Sequence, residues 1–161
     1  MTSTEMIGDY IDVLVNQKVI KIGRSANMIW IWFEKNDGVK STIWCLHIQS
    51  TFRILNLKRE EIIVGSSDIY HPSKRMENAD DFDWEQQGNN LFDEKSKNWL
   101  EKNIGISVKK ILINLWGDLR IIFSNNDILE VYIDNSTKYA ECWRLFEKEK
   151  KNKKHLVITG G

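Results

Sequence analysis

The chain has 161 residues, 42% of them hydrophobic and 29% charged, so it can bury one core but is short for two. Basic and acidic residues both number 23, and the formal net charge of zero argues against nucleic acid or an anionic membrane as a general partner. Residues 1–6 lack the basic start of a signal peptide, and no apolar run reaches the length of a membrane span. We therefore expect one cytoplasmic domain over residues 1–161.

The two cysteines, Cys45 and Cys142, lie within apolar segments and have no CxxC partner. Free cysteine is among the most buried residue types, whereas disulfide and zinc sites usually show paired spacings. We therefore expect two buried, reduced thiols. The sequence predicts no metal site and no cofactor.

Strand-forming segments fill the first half, at residues 19–22, 28–33, 42–48, 52–55 and 61–64. A short apolar stretch, residues 7–14, precedes them. Between the second and third segments, Asn36, Asp37 and Gly38 tolerate the positive φ of a hairpin turn. The first three segments therefore predict a three-stranded antiparallel meander.

The second half repeats this plan, with matching segments at residues 110–113, 119–123, 131–133 and 143–145. These resemble residues 19–22, 29–33, 46–48 and 52–54, in that order. Because one meander has an apolar face that it cannot bury alone, two copies would complete a common core. The alternative is that any two meanders share hairpin residues and apolar runs, so the pattern leaves open whether the repeat is a duplication.

The segment between the halves contains the clearest helix pattern, at residues 94–103. It has good helix formers, acids at its start, and Asn103 and Gly105 as stop signals. Trp99 and Leu100 would form its buried stripe. We therefore predict an α+β, mainly β fold. It consists of two antiparallel three-stranded meander units, in half-repeats of about 13–64 and 106–159, with one helix in the connecting segment 65–105.

The same connecting segment contains the candidate binding site, a run of carboxylates interspersed with aromatic residues. Aromatic anchors supply much of the energy of protein interfaces, and carboxylates complement basic clefts such as those of nucleases. The predicted partner-binding residues are Asp80, Asp81, Phe82, Asp83, Trp84, Glu85, Asn89, Asn90, Phe92 and Asp93. We predict a protein partner for this surface and no catalytic residue.

Two other classes of function are compatible with the sequence. Paired carboxylates in residues 80–94 are the residue type of a small hydrolase or a metal-dependent enzyme. Asp83, Gly88 and Glu94 match the first, sixth and twelfth places of an EF-hand calcium loop, but Glu85 and Gln87 are too long for the third and fifth. The other class is a structural module that oligomerises, for instance as a homodimer, by pairing exposed sheet edges.

Two further features lie outside this segment. Trp30 and Trp32 alternate onto one face of their strand, which makes that face a candidate contact for a partner or a ligand. The lysines of residues 148–154 alternate with acids and lie in no nucleic-acid-binding module, so they predict a solvated turn.

Five short motifs carry a family resemblance: FR at residues 52–53, GSSDIY at 65–70, DW at 83–84, GNNLFDE at 88–94 and GDL at 117–119. Through them the chain resembles, over most of its length, a family of small uncharacterised bacterial proteins. In size and composition, some proteins of this type resemble the immunity proteins encoded beside polymorphic toxins. The resemblance implies a non-catalytic protein that neutralises a cognate toxin.

Overall fold

The computed structural model describes residues 3–149 and 155–161. Its helices are α1 (Ser3–Ile11) and α2 (Leu91–Lys102), and short 3-10 turns span Asp12–Leu14, Ser66–Tyr70 and Lys74–Met76. Its strands are β1 (Lys18–Ser25), β2 (Met28–Asn36), β3 (Ser41–Ile48), β4 (Phe52–Asn56), β5 (Glu61–Gly65), β6 (Val108–Ile113), β7 (Leu119–Phe123), β8 (Asp127–Val131), β9 (Glu141–Glu147) and β10 (Leu156–Thr159).

Both predicted meanders are present, and the mainly β fold class is confirmed. Strands β1, β2 and β3 pair antiparallel in sequence order, as do β6, β7 and β8. The turn between β2 and β3 contains Gly38 with φ of 83°, and the turn between β7 and β8 contains Asn126 with φ of 67°. Glycine and asparagine tolerate this left-handed conformation, which lets the chain reverse tightly between antiparallel strands.

Each meander is extended by a hairpin from the other half of the chain. Sheet A has the strand order β1-β2-β3-β9-β10, and sheet B has the order β5-β4-β8-β7-β6. Ile48 at the end of β3 lies opposite Trp143 in β9, and Val131 at the end of β8 lies opposite Phe52 in β4. The segment that corresponds to residues 46–48 is therefore 129–131, two residues before the predicted match.

The two sheets meet where β1 and β6 begin. Lys18 and Ser107 form an isolated antiparallel bridge, and the backbone N–H of Val19 donates to the carbonyl of Ile106 at 2.9 Å. Both strands also have a register irregularity just after this junction, beginning at Val19 in β1 and at Val108 in β6. β1 and β6 thus begin with the same local structure at the junction between the two halves.

Helix α1 was not predicted, and α2 begins earlier than predicted. Helix α1 packs against β6 of the second half, while α2 packs against β1 and β5 of the first. Helix α2 begins at Leu91 because the Asn90 side chain caps it by accepting from the backbone N–H of Asp93 at 2.9 Å. Trp99 is 3% exposed, as its place on the predicted buried stripe requires.

One cluster of buried apolar side chains includes residues of both sheets and both helices, among them Ile11, Phe33, Trp99 and Phe123. Cys45 and Cys142 are buried free thiols, and burial raises the pKa of the Cys45 thiol to about 11. Within residues 3–149 and 155–161, neither helix has the length and apolar character needed to cross a membrane.

Candidate functional site

The carboxylate-rich segment forms a defined loop, which we call the acidic loop (residues 80–90). It follows the 3-10 turn of Lys74–Met76 and leads into α2. The loop lies against the turn between β1 and β2, because Arg24 in β1 reaches it with its side chain. Two regions distant in sequence thus create the site.

Arg24 fixes the base of the acidic loop. Its side chain is fully buried, with Nε donating to Asp93 Oδ1 at 2.7 Å and Nη2 donating to Asp93 Oδ2 at 2.9 Å. Nη2 also donates to the carbonyl of Gln86 at 3.2 Å, and Nη1 donates to the carbonyl of Ala26 at 3.1 Å. A bidentate guanidinium–carboxylate pair is strong and directional, so this contact fixes the position of the loop on sheet A.

Side-chain amides complete the loop framework. Asn90 Nδ2 donates to the carbonyl of Trp84 at 3.0 Å, and Gln87 Nε2 donates to the carbonyl of Arg24 at 3.4 Å. Arg75 Nη2 donates to Asn89 Oδ1 at 2.8 Å. These bonds connect the loop to β1, to the preceding 3-10 turn and to its own backbone, and so stabilise this arrangement of the loop.

Four of the ten predicted binding residues are structural and leave the predicted interface. Asn89, Asn90 and Phe92 are 4%, 0% and 0% exposed. The Phe92 ring meets the Phe52 ring edge-on, with centroids 6.0 Å apart. The Asp93 carboxylate is occupied by Arg24. Asn90 is the N-cap of α2, Asn89 precedes it, and Phe92 and Asp93 lie in the first turn. Burial and internal hydrogen bonds leave these four side chains little surface for a partner.

The other six predicted residues lie at the surface. Asp80, Asp81, Asp83 and Glu85 are exposed, and none of them forms an ion pair with a residue in the described parts of the chain. Phe82 and Trp84 are half-buried. The loop therefore presents carboxylates to solvent beside two partly covered aromatic rings.

Two residues of the site were absent from the sequence-based prediction. Tyr70 is 53% exposed and meets Trp84 edge-on, with ring centroids 5.2 Å apart. It adds an exposed aromatic ring at the edge of the loop. The second is Arg24, which lies on the inward side of β1 and forms a buried ion pair with Asp93, a residue distant in sequence.

Two carboxylates of the loop region bond to backbone groups. Glu94 Oε2 accepts from the backbone N–H of Lys74 at 2.9 Å, and Asp83 Oδ1 accepts from the backbone N–H of Glu85 at 2.9 Å. Both ends of the EF-hand-like spacing thus cap backbone groups of the loop region. The parts of the chain that the structure describes contain no group of three or more His, Cys, Asp or Glu side chains arranged to hold a metal ion.

Comparison with known proteins gives this site no relative from which a role could be transferred. The sequence matches no family model, and no curated protein or solved structure is similar enough to show a relationship.

Proposed function

We propose that this protein is a non-catalytic cytoplasmic binding protein that docks its acidic loop onto a basic surface of a protein partner. The leading partner class is a nuclease-type toxin, which would make the chain an immunity protein. One observation carries the proposal. A buried arginine fixes the base of the loop, while four carboxylates of the same loop face solvent without an ion-pair partner in the described residues.

A fixed loop suits this role because ordering a flexible loop at an interface consumes binding energy. The ring of Tyr70 and the partly covered ring of Trp84 lie together at the edge of the loop. Tyrosine and tryptophan are enriched among residues that dominate interface energies. We therefore assign the aromatic pair to the short-range contact and the carboxylates to the approach of the partner.

The exposed carboxylates of the loop create a local region of negative electrostatic potential. Since the chain has no net charge, long-range attraction to a basic partner must come from a cluster such as Asp80, Asp81, Asp83 and Glu85. Complementary charges raise association rates by about 10- to 1,000-fold at low ionic strength, and salt screens the effect. Binding through this loop should accordingly be fast and salt-sensitive.

The test uses the product of the reading frame encoded beside this chain as the candidate partner. The two proteins are co-expressed, and their association rate is measured at low and at physiological salt. Reversing three charges, Asp80→Lys with Asp81→Lys and Asp83→Lys, should slow association about tenfold or more at low salt. The control makes the same charge change elsewhere on the exposed surface, with Glu60→Lys, Glu61→Lys and Glu101→Lys.

The control triple variant should retain most of the wild-type rate. Equal losses in both triple variants would show that only overall charge matters and would remove the loop assignment. Tyr70→Ala should weaken the complex by about 1–2 kcal/mol, chiefly through faster dissociation. If the neighbouring product is no toxin or does not bind, the toxin assignment is wrong.

A further inference from the structure

The outer face of sheet A is a second surface, which shares no residue with the acidic loop. Along β2, the buried side chains of Ile29, Ile31 and Phe33 alternate with the half-buried rings of Trp30 and Trp32. The two indole centroids lie 5.4 Å apart. The two helices make their main contacts with β6, β1 and β5, so the outer side of β2, β3 and β9 is formed by their own side chains.

Cross-strand pairing extends the aromatic character of this face. Trp30 lies opposite His47, and Trp32 lies opposite Cys45, which in turn pairs with Phe146. The Phe146 ring stacks on His155, with centroids 4.4 Å apart, and meets His47 edge-on at 4.8 Å. A continuous aromatic surface therefore spans the middle of the sheet.

Gly23 determines how Trp30 lies on this surface. Gly23 is the cross-strand partner of Trp30, and a Cβ atom at position 23 would lie 2.5 Å from the Trp30 ring. The indole thus rests with one face on the backbone of β1, in space that any other residue would fill. Trp30 is half-buried, so part of the indole surface on this face of the sheet remains open to solvent.

Two lysines place positive charge at the same surface. Lys148 Nζ lies 3.8 Å from the centroid of the Trp32 ring, and Lys21 Nζ lies 4.7 Å from it. Both lysines are exposed, and they come from strand β1 and from the turn after β9.

Two acidic side chains of this face, Glu141 and Glu34, have hydrogen-bonding partners. Arg144 Nε donates to Glu141 Oε1 at 2.6 Å, and Ser41 Oγ donates to Glu34 Oε1 at 2.6 Å. The lysines of residues 150–154 lie outside the described residues and take no part in the argument.

We propose that this face binds single-stranded nucleic acid. A base would stack on the open indole surface of Trp30, while the flanking phosphates would draw the ammonium groups of Lys21 and Lys148 from the Trp32 ring. Stacking rings beside backbone-tracking cations are the features by which proteins hold single strands without reading their sequence. The zero net charge of the chain opposes general attraction to duplexes, but it does not describe this local pairing of rings and cations.

The experiment measures the fluorescence anisotropy of a labelled oligothymidylate titrated with the protein over a range of salt concentrations. Trp30→Leu should weaken binding about tenfold, because the variant loses the ring on which a base would stack. Lys21→Gln with Lys148→Gln should weaken binding and make its salt dependence less steep. Matched controls are Trp116→Leu, at an indole that is 69% exposed in the turn between β6 and β7, and Lys40→Gln with Lys110→Gln.

Wild-type binding that only the sheet A variants impair supports the proposal. Absence of oligothymidylate binding at low salt overturns it, as does equal impairment by Trp30→Leu and Trp116→Leu. The two lysine side chains are exposed, so their variant reports on binding even if Trp30→Leu reduces stability. None of these substitutions touches the acidic loop, so this result is independent of the outcome for the proposed protein partner.

Discussion

The two halves of the chain share one plan and differ in what is attached to it. Each half runs from a helix through a three-stranded meander to a hairpin that pairs with the other half. Val19 and Val108 correspond, since both begin a register irregularity and both pair with a phenylalanine, Phe33 or Phe123. Because the two halves share one backbone plan, the fold alone does not indicate what either half does. Any difference in role must come from the side chains and loops.

The turns at the ends of the two meanders show the difference most clearly. Arg24 lies opposite Ile29 in the first half, and the corresponding residue of the second half is Ile113, opposite Leu119. The acidic loop covers the first turn through Arg24. The second turn instead exposes Leu115 and Trp116, at 72% and 69%. The turn that the acidic loop covers therefore has a buried arginine at the position where the uncovered turn has an isoleucine.

The largest expected effect comes from Arg24→Ile, which gives the first half the residue type found at the corresponding position of the second half. The substitution removes both guanidinium hydrogen bonds from the Asp93 carboxylate, which is 11% exposed and keeps only the backbone N–H of Gly88 as a donor. Breaking a buried ion pair in this way costs about 3–5 kcal/mol. Urea denaturation should show this loss, and limited proteolysis should show faster cleavage within residues 80–90.

The control is Arg53→Ile, at an arginine that is 42% exposed and 3.6 Å from Glu130. Arg53 lies partly in solvent, and the buried Glu130 keeps Arg120 and Tyr132 as partners, so this variant should lose at most about 1 kcal/mol. Similar losses of stability in the two variants would contradict the structural role assigned to Arg24.

The next effect tests the side-chain contact that each helix makes with the meander of its own half, in addition to its main packing against the other half. In the first half, Tyr10 meets Trp44 edge-on at 5.9 Å. In the second half, Trp99 Nε1 donates to Asp127 Oδ2 at 2.9 Å. Trp99→Phe keeps a ring but removes that donor from an aspartate that is 2% exposed, so thermal or urea unfolding should show a loss of about 1–3 kcal/mol.

The same change on an exposed indole, Trp116→Phe, separates the lost hydrogen bond from the loss of ring area. It should alter stability by no more than about 0.5 kcal/mol. If the two variants were equally stable, the Trp99–Asp127 bond would have no role in holding α2 on the second meander.

The meanders could be predicted from the sequence because their signals are local. Alternating apolar residues and turn chemistry act over a few neighbouring positions. The exchange of hairpins could not be predicted, since Ile48 meets Trp143 through a pairing that no local pattern encodes. Helix α1 was readable but missed. Ile7, Tyr10, Ile11 and Leu14 have the spacing of a helical stripe, and the segment was treated only as an apolar lead.

The same distinction between local signals and long-range pairings explains which features of the candidate site could be predicted. The exposure of Asp80, Asp81 and Asp83 follows from a polar loop, and it was predicted correctly. The burial of Asn90 and Phe92 was missed, although asparagine three residues before Asp93 is a recognisable helix cap. The pairing of Arg24 with Asp93 depends on the folded arrangement of two distant segments, and sequence alone could not show it.

The smallest expected effect concerns a row of side chains on the outer face of each sheet. His47 of sheet A and Glu130 of sheet B occupy corresponding places, opposite Arg144 and Arg53. Burial, followed by the nearby Arg144 charge, lowers the pKa of His47 below its ordinary value of 6.5. The unfolded chain therefore binds a proton at this residue before the folded protein does. Stability should fall as the pH decreases through and below 6.5.

A second decline should begin at more acidic pH, because hydrogen bonding from Arg144 lowers the pKa of Glu141 below its ordinary value of 4.5. Stability from that pair is present above 4.5 and is lost as the pH falls toward the lowered pKa. Urea midpoints measured across the pH range should separate the two declines. His47→Gln should abolish the first and keep the second, while His71→Gln, at an exposed histidine outside this row, should keep both. A first decline of unchanged size in His47→Gln would mean that another group causes it and that sheet A carries no protonation-sensitive residue in this row.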